Sequence, residues 1–287
     1  MASTDLPVLL PLAERVSVRA REERAAGTWR LGLRGSHGRA LLLLFLLGCG
    51  IAQAQAGPDQ PSIFATLWKW TPLLLQGFLF NLAISFVAMA VGTIVGFFLG
   101  FAQSSVLRPV KGAAWLTTNF FRNAPWLVLL FYCMFLLPFQ IRIFGVTIPL
   151  PDWVKATLGL ALPVMANVAE VLRGAMQSIP TAQWESAASL AFTRRQTLWM
   201  IILPQCLMRM LPPRMILYAI LTMSTVLTSI VGVNEMMALT RQALSAENRA
   251  GLLLAFYAYV LLWFFAYCYP IARWTVRLEA KYAVNSA

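Results

Sequence analysis

The residues able to carry acid–base or metal chemistry are few, and they lie almost entirely outside the apolar runs of the chain. The only histidine is His37, and the three aspartates are Asp5, Asp59 and Asp152. An intramembrane aspartyl protease needs two buried aspartates, a metalloprotease needs histidine ligands, and a Ser-His hydrolase needs a base beside its serine. The apolar runs hold none of these sets, so the sequence predicts no catalytic residue, no metal site and no enzyme activity.

Glu170 is the only candidate for a carboxylate at membrane depth, and it lies one helical turn before Arg173. Residues spaced i, i+3 share a helix face, so the sequence predicts a structural ion pair between them. A neighbouring arginine lowers the proton affinity of a carboxylate, which disfavours a proton relay. The chain also lacks a G-x-x-x-x-G-K-[ST] phosphate loop. Any nucleotide hydrolysis therefore belongs to another chain, and no cofactor is predicted in this one.

Long uncharged segments must position these residues. The chain has 287 residues, of which 59% are hydrophobic and 12% charged, about half the charge of a soluble protein. A helix needs about 20 apolar residues to cross a bilayer, and five segments qualify, roughly 77–101, 114–138, 154–173, 214–233 and 251–272. The predicted fold class is all-α, a polytopic helical membrane protein with five core helices plus an N-terminal apolar segment.

The N-terminal region divides into a basic cytosolic extension, 1–39, and an apolar segment, 40–58. A basic flank, a short apolar stretch and small residues up to position 56 are typical of a cleaved secretory signal. A short uncleaved transmembrane helix explains the same residues, and the two alternatives stay open. Both place residue 57 and its successors outside the cytosol.

The distribution of basic residues predicts the orientation of the spans. Of the 23 lysines and arginines, 18 fall on one side of the membrane if the loop after the first span is cytosolic. The positive-inside rule then places the C-terminus in the cytosol. The basic residues flank apolar runs instead of forming one patch, so nucleic acid is not a predicted partner. The five on the outer side are Lys69, Arg142, Lys155, Arg241 and Arg249.

Residues 174–213 form a long cytosolic insert between the third and fourth spans. Pro180 is expected to end the preceding helix, with Thr181 as the N-cap of a short helix. Thr193 and Gln196 have the spacing of a capping box that opens a second short helix, which Pro204 is expected to disrupt. Such a pair of helices is either a knob for a partner protein or a hairpin on the membrane surface. Residues at i, i+3, i+4 and i+7 make one narrow face of the first helix: Trp184, Ala187, Ala188 and Ala191.

The insert resembles the EAA motif of ABC importer permeases, E-A-A-x-x-x-G followed by I-x-L-P. The matching stretches are 184–191 and 201–205. Residues 120–128, 169–174, 211–213 and 229–235 also resemble the polar amino acid permease subfamily, which handles histidine, glutamate, glutamine, arginine and opines. The resemblance covers about 77–280 and predicts an ABC transmembrane type-1 permease domain at 75–275, with its coupling region at 178–205.

This resemblance implies a permease subunit of an ATP-driven amino acid importer that forms the translocation pathway. Its implied partners are an ABC ATPase dimer that binds ATP, a periplasmic amino acid-binding protein, a second permease subunit, identical or sibling, and membrane lipid. The alternative is a stand-alone secondary carrier or channel for small polar solutes. By the match, the EAA-like loop contacts the ATPase through Trp184, Glu185, Ala187, Ala188, Ala191, Leu203 and Pro204.

The chain departs from the family pattern at several positions. Ser186 replaces the first motif alanine and Ala191 replaces the motif glycine. If position 191 requires a positive φ, alanine is strained there on the order of 1 kcal/mol. Met223 and Val226 stand where the subfamily usually has lysine and serine. No substrate-binding residue is therefore predicted.

Overall fold

The architecture was analysed in a computed structural model, which describes residues 50, 61–143 and 146–283. The predicted extension 1–39 and, apart from Gly50, the segment 40–58 lie outside the described residues. The elements, in chain order, are α1 (Ile63–Gln103), α2 (Arg108–Asn123), α3 (Trp126–Leu136), β1 (Gln140–Ile143), β2 (Val146–Pro149), α4 (Asp152–Gln177), α5 (Thr181–Ser189), α6 (Arg194–Gln196), a π-helical turn (Thr197–Ile202), α7 (Leu203–Ser224), a 3₁₀ segment (Thr225–Val231), α8 (Met236–Glu247) and α9 (Leu252–Ala283).

The described residues contain four helical segments long and apolar enough to cross a membrane: Ile63–Gln103, Asp152–Gln177, Arg194–Val231 and Leu252–Glu279. The all-α membrane class is thereby confirmed. The first segment begins well before the predicted residue 77, because Ser62 caps it by accepting a hydrogen bond from the Ala65 N–H at 3.2 Å. Its 41 residues span about 60 Å, roughly twice the hydrocarbon core, so α1 extends beyond the bilayer.

The predicted single span 114–138 is wrong, because two helices, α2 and α3, occupy this stretch. Ala124 leaves the helical region, with a ψ of 138°. The following Pro125 explains this, since its ring disfavours the α conformation in the residue before it. The apolar part, α3, has only 11 residues and measures about 16 Å, half the thickness of the hydrocarbon core.

An antiparallel hairpin that the sequence analysis did not predict follows α3. Its two strands pair Gln140 with Pro149 and Arg142 with Thr147. The strands are rich in β-branched residues, which favour extended backbone. The hairpin leads directly into α4, whose N-cap is Pro151.

The core is centred on α4, which packs against α1 along a stripe of glycines. A Cβ atom added to Gly92 would lie 2.6 Å from Val164 Cγ1, and one added to Gly96 would lie 2.6 Å from the Met165 carbonyl oxygen. At Gly100 it would lie 2.9 Å from Leu172 Cδ2. The small-residue stripe of α1 therefore permits close helix packing within this subunit.

Candidate functional site: the coupling region and its supports

The coupling region begins where α4 ends. Pro180 occupies the N-cap position of α5, with φ −55° and ψ 140°, and its carbonyl accepts a hydrogen bond from the Gln183 N–H at 3.1 Å. The predicted cap at Thr181 is therefore one residue late, since Thr181 is the first helical residue. An N-cap contributes its carbonyl to the first turn and needs no N–H of its own, so proline fits there.

The predicted docking residues of α5 divide between two faces. Ala187 is buried at 2% exposure, and Trp184 is half-buried against the core. Glu185 and Ala188 are exposed. The inward residues fix the helix to the permease core, and the outward residues are free to meet a partner.

The turn after α5 is a Schellman motif with alanine in the left-handed position. The Phe192 N–H donates to the Ala187 carbonyl at 3.1 Å, and the Ala191 N–H donates to the Ala188 carbonyl at 2.9 Å. Ala191 has a φ of +58°. This geometry is normally taken by glycine, because a Cβ clashes with the backbone at positive φ. The strain that the sequence analysis made conditional on a positive φ is therefore present at Ala191.

The predicted capping box is confirmed. Thr193 Oγ1 accepts from the Gln196 N–H at 3.3 Å, and Gln196 Oε1 accepts from the Thr193 N–H at 2.9 Å. The helix that it opens is not short, however, because helical backbone continues from Arg194 to Val231. Pro204 does not disrupt it: the preceding turn, Thr197–Ile202, widens to π geometry. A wider turn relieves the clash of the proline ring with the carbonyl four residues earlier.

One side-chain contact holds α5 against this long segment, and a second holds the C-cap of α4, Ser178, against it. Gln205 Nε2 donates to Gln183 Oε1 at 2.6 Å and to the Ile201 carbonyl at 3.0 Å. Arg209 Nη1 donates to the Ser178 carbonyl at 2.8 Å. Leu203 is buried at 9% exposure, and Pro204 is exposed. The sequence analysis missed Gln183, Gln205 and Arg209, because their partners lie 22 or more residues away.

Glu170 and Arg173 form the predicted ion pair, and a third residue joins it. Arg173 Nε donates to Glu170 Oε2 at 3.0 Å, and Arg122 Nη1 lies 3.3 Å from Glu170 Oε1. Arg173 Nη1 also donates to Gln177 Oε1 at 2.9 Å. One carboxylate thus joins the last turn of α2 to α4, about two turns before α4 ends. These contacts connect two helices of the core.

Most of this helical core matches one family model, the inner membrane component of binding-protein-dependent transport systems, over residues 92–269. The chain belongs to this family. Its members are non-catalytic membrane components that work with an ATPase and a substrate-binding protein. The chain is thus the permease subunit of an ABC importer; the stand-alone carrier has no support in these matches.

The permease is similar to curated relatives and to solved structures. It is 33% identical over 213 residues to the probable amino-acid ABC transporter permease protein YckA of Bacillus subtilis (strain 168), covering 74% of this chain and 90% of the relative. It is 30% identical to the glutamine transport system permease protein GlnP of Escherichia coli (strain K12), covering 62% and 78% respectively. It also shares the fold of the crystal structure of an amino acid ABC transporter with histidines. The TM-score is 0.66 at 23% identity, covering 76% of this chain and 98% of that one.

A buried polar cluster joins α1 to the N-terminus of α8. Asn81 Nδ2 donates to Glu235 Oε2 at 2.9 Å and to Thr225 Oγ1 at 2.8 Å. Glu235 caps α8 by accepting from the N–H groups of Met237 at 3.0 Å and Ala238 at 2.9 Å. Burial raises the pKa of the Glu235 carboxyl, and the backbone and Asn81 donors act in the opposite direction. The sequence analysis assigned Glu235 to a motif but did not predict this cluster.

The hydroxyl groups of the 3₁₀ segment also donate hydrogen bonds within the chain. Thr225, Thr228 and Ser229 each donate to a backbone carbonyl three residues earlier, at 2.7, 2.7 and 2.8 Å. Met223, at one of the positions where the subfamily usually carries a polar residue, is 53% exposed. None of these three hydroxyls is free to donate to a substrate in this conformation.

Proposed function

We propose that the chain is the permease of an amino acid importer in the bacterial inner membrane, with its C-terminus in the cytosol. The relatives named for amino acids and for glutamine support this substrate class. The bias of basic residues towards one side supports the orientation. In this proposal ATP is bound by a separate ATPase dimer, and a second permease subunit, identical or sibling, completes the pathway.

The coupling proposal rests on one observation: part of the α5 surface is buried against the core and part of it is exposed. Ala187 and Trp184 pack against the core, and Glu185 and Ala188 are exposed beside them. A small exposed side chain at Ala188 lets another protein approach the helix backbone closely. We therefore assign Glu185, Ala188, Ala191 and Pro204 to the contact surface, and Trp184, Ala187 and Leu203 to its support.

Two substitutions on the exposed face test this assignment in the assembled transporter. Ala188→Trp introduces bulk where close approach is proposed, and overpacking of about 1–3 kcal/mol weakens coupling roughly five- to 140-fold. Glu185→Ala removes the charge and is expected to lower coupling in the same direction. The measurement is ATP hydrolysis stimulated by the loaded binding protein, with Glu279→Ala as the control at an exposed position. Undiminished stimulation in both Ala188→Trp and Glu185→Ala would contradict the docking role.

Cysteine accessibility tests the orientation independently of transport. Ser186 on α5 and Thr147 on the hairpin are both exposed, and each is replaced by cysteine in turn. In intact cells a membrane-impermeant thiol reagent is expected to label Thr147→Cys but not Ser186→Cys, with the unsubstituted chain as background. In inside-out vesicles the pattern reverses. Labelling of Ser186→Cys in intact cells would place the coupling region outside and overturn the proposal.

A further inference from the structure

A cavity of about 490 Å³ opens where α1 ends, α2 begins and α4 ends. Its walls carry the basic side chains of Arg108, Lys111 and Arg173. The basic residues assign this end of the spans to the cytosolic leaflet. The cavity is separate from the exposed face of α5 and from the cluster around Glu235, and neither of those sites uses it.

The cavity has an excess of positive charge. Arg173 is paired with Glu170, but no carboxylate among the described residues lies within ion-pair distance of Arg108 or Lys111. The residues that line the cavity include no acid. Two uncompensated cations therefore face a space large enough for a ligand, which favours an anion.

A second, independent observation is that the buried side-chain oxygen of Gln103 lacks a hydrogen-bond donor within the described part of the chain. Its side chain is 4% exposed, and its Oε1 is buried without a hydrogen-bond partner among the described residues. Its Nε2 donates to Thr118 Oγ1 at 2.8 Å, and the Thr118 hydroxyl donates to the Ala114 carbonyl at 2.9 Å. Because that hydroxyl hydrogen is already committed, the amide cannot turn its oxygen towards Thr118. The buried oxygen needs a donor from elsewhere, since an unsatisfied buried acceptor costs about 1–3 kcal/mol.

We propose that this cavity binds the headgroup of an anionic phospholipid whose phosphate diester carries a hydroxylated substituent, the chemistry of phosphatidylglycerol. The phosphate pairs with Arg108 and Lys111. A rotation of the Gln103 side chain, which lines the cavity, brings the buried Oε1 to a glycerol hydroxyl, which donates to it. Basic pockets between helices at the cytosolic face are typical sites for anionic headgroups. Trp115, which also lines the cavity, is 58% exposed and is followed by Leu116 at 64%. Their apolar surfaces favour a molecule with acyl chains over a soluble phosphate.

The first experiment measures lipid retention by native mass spectrometry on the purified full chain. Unsubstituted protein is expected to retain one phosphatidylglycerol in preference to phosphatidylcholine. The double variant Arg108→Gln and Lys111→Gln is expected to lose affinity about thirtyfold, which equals about 2 kcal/mol at 1.4 kcal/mol per tenfold. The control, Arg273→Gln with Arg277→Gln, removes the same charge from exposed positions on α9 and keeps the affinity. Equal retention of both lipids by the unsubstituted chain overturns the proposal without any variant.

The second experiment tests the hydroxyl contact and the source of the phosphate. The unsubstituted chain is expected to prefer phosphatidylglycerol to phosphatidylmethanol, which has the same diester without the hydroxyl. Gln103→Leu abolishes this preference. Thr118→Val removes the bonds of the Thr118 hydroxyl to Gln103 and to the Ala114 carbonyl but keeps Gln103 Oε1, and it preserves the preference. A preference that survives Gln103→Leu overturns the hydroxyl contact. Displacement of the lipid by millimolar glycerol phosphate would identify a soluble phosphate site and overturn the lipid assignment.

Discussion

Replacing Ala191 by glycine, the residue of the family motif at this position, tests the backbone strain assigned to the turn after α5. The φ of +58° at Ala191 places an alanine Cβ in the left-handed region, as the C′ residue of the Schellman motif that ends α5. Replacement by glycine keeps both hydrogen bonds of the motif and removes the Cβ clash. We expect Ala191→Gly to raise the free energy of unfolding.

The magnitude follows from two opposing terms. The left-handed conformation costs an L-residue about 1–2 kcal/mol. Glycine loses about 0.4–1 kcal/mol of stability through the greater freedom of the unfolded chain. The net gain is about 0.5–1 kcal/mol, which corresponds to an increase of about 1–3 °C in Tm for a domain of this size.

The assay is thermal unfolding of the purified permease in detergent, followed by tryptophan fluorescence. The matched control is Ala188→Gly, the same chemical change three residues earlier, inside α5 and exposed. There glycine is expected to lower the stability by about 0.5–1 kcal/mol. Ala191→Val, with a branched Cβ at positive φ, is also expected to lower it. If both glycine variants shift Tm in the same direction, the assigned strain at Ala191 is refuted.

Two further substitutions test the packing of α1 against α4 and the ion pair that joins α1 to α8. Gly96→Ala places a Cβ 2.6 Å from the Met165 carbonyl and is expected to cost about 1–3 kcal/mol in thermal unfolding. Gly174→Ala, where nothing lies within 4 Å, is neutral or stabilising, and an equal loss at both sites would contradict the close packing. Hydrogen bonds from Lys69 and Trp70 lower the pKa of Glu247, so its contribution is present above the unfolded pKa of about 4.3 and is lost as the pH falls through the folded pKa. Glu247→Gln is therefore expected to lose up to about 1 kcal/mol at pH 7, and a loss that persists unchanged in acid would refute the ion pair with Lys69.

The sequence was sufficient to predict the features that depend on short-range chemistry. The long apolar runs become membrane-length helices because the backbone must satisfy its own hydrogen bonds in lipid. The capping box at Thr193 needs only a threonine and a glutamine three residues apart. The break at Pro125 was equally readable, since a proline restricts the preceding residue. The predicted span 114–138 runs through this break because it follows hydrophobicity alone.

Features that depend on long-range packing were beyond the sequence analysis. Pro204 predicts a helix end by its local chemistry, but packing of Leu203 and the adjacent Ile202, which is fully buried, keeps the helix continuous through a widened turn. Arg122 reaches Glu170 from a different helix, and Gln205 reaches Gln183 across the coupling turn. No spacing rule brings such partners together, because their distance is set by how the helices cross.

The polar residues of the 3₁₀ segment and Glu235 show why a motif does not by itself identify a substrate site. Thr225 and Thr228 resemble free hydroxyl donors in the sequence, but the 3₁₀ backbone turns each towards a carbonyl of its own chain. Glu235 lies in a stretch that resembles a family motif, but its oxygens accept hydrogen bonds from backbone N–H groups and Asn81. A 3₁₀ run of seven residues is longer than the three or four that are common, and its hydrogen bonds are poorer than those of an α-helix. This segment is therefore less strongly hydrogen-bonded than an α-helix of the same length. These hydroxyls donate to a substrate only after their bonds to the backbone carbonyls break.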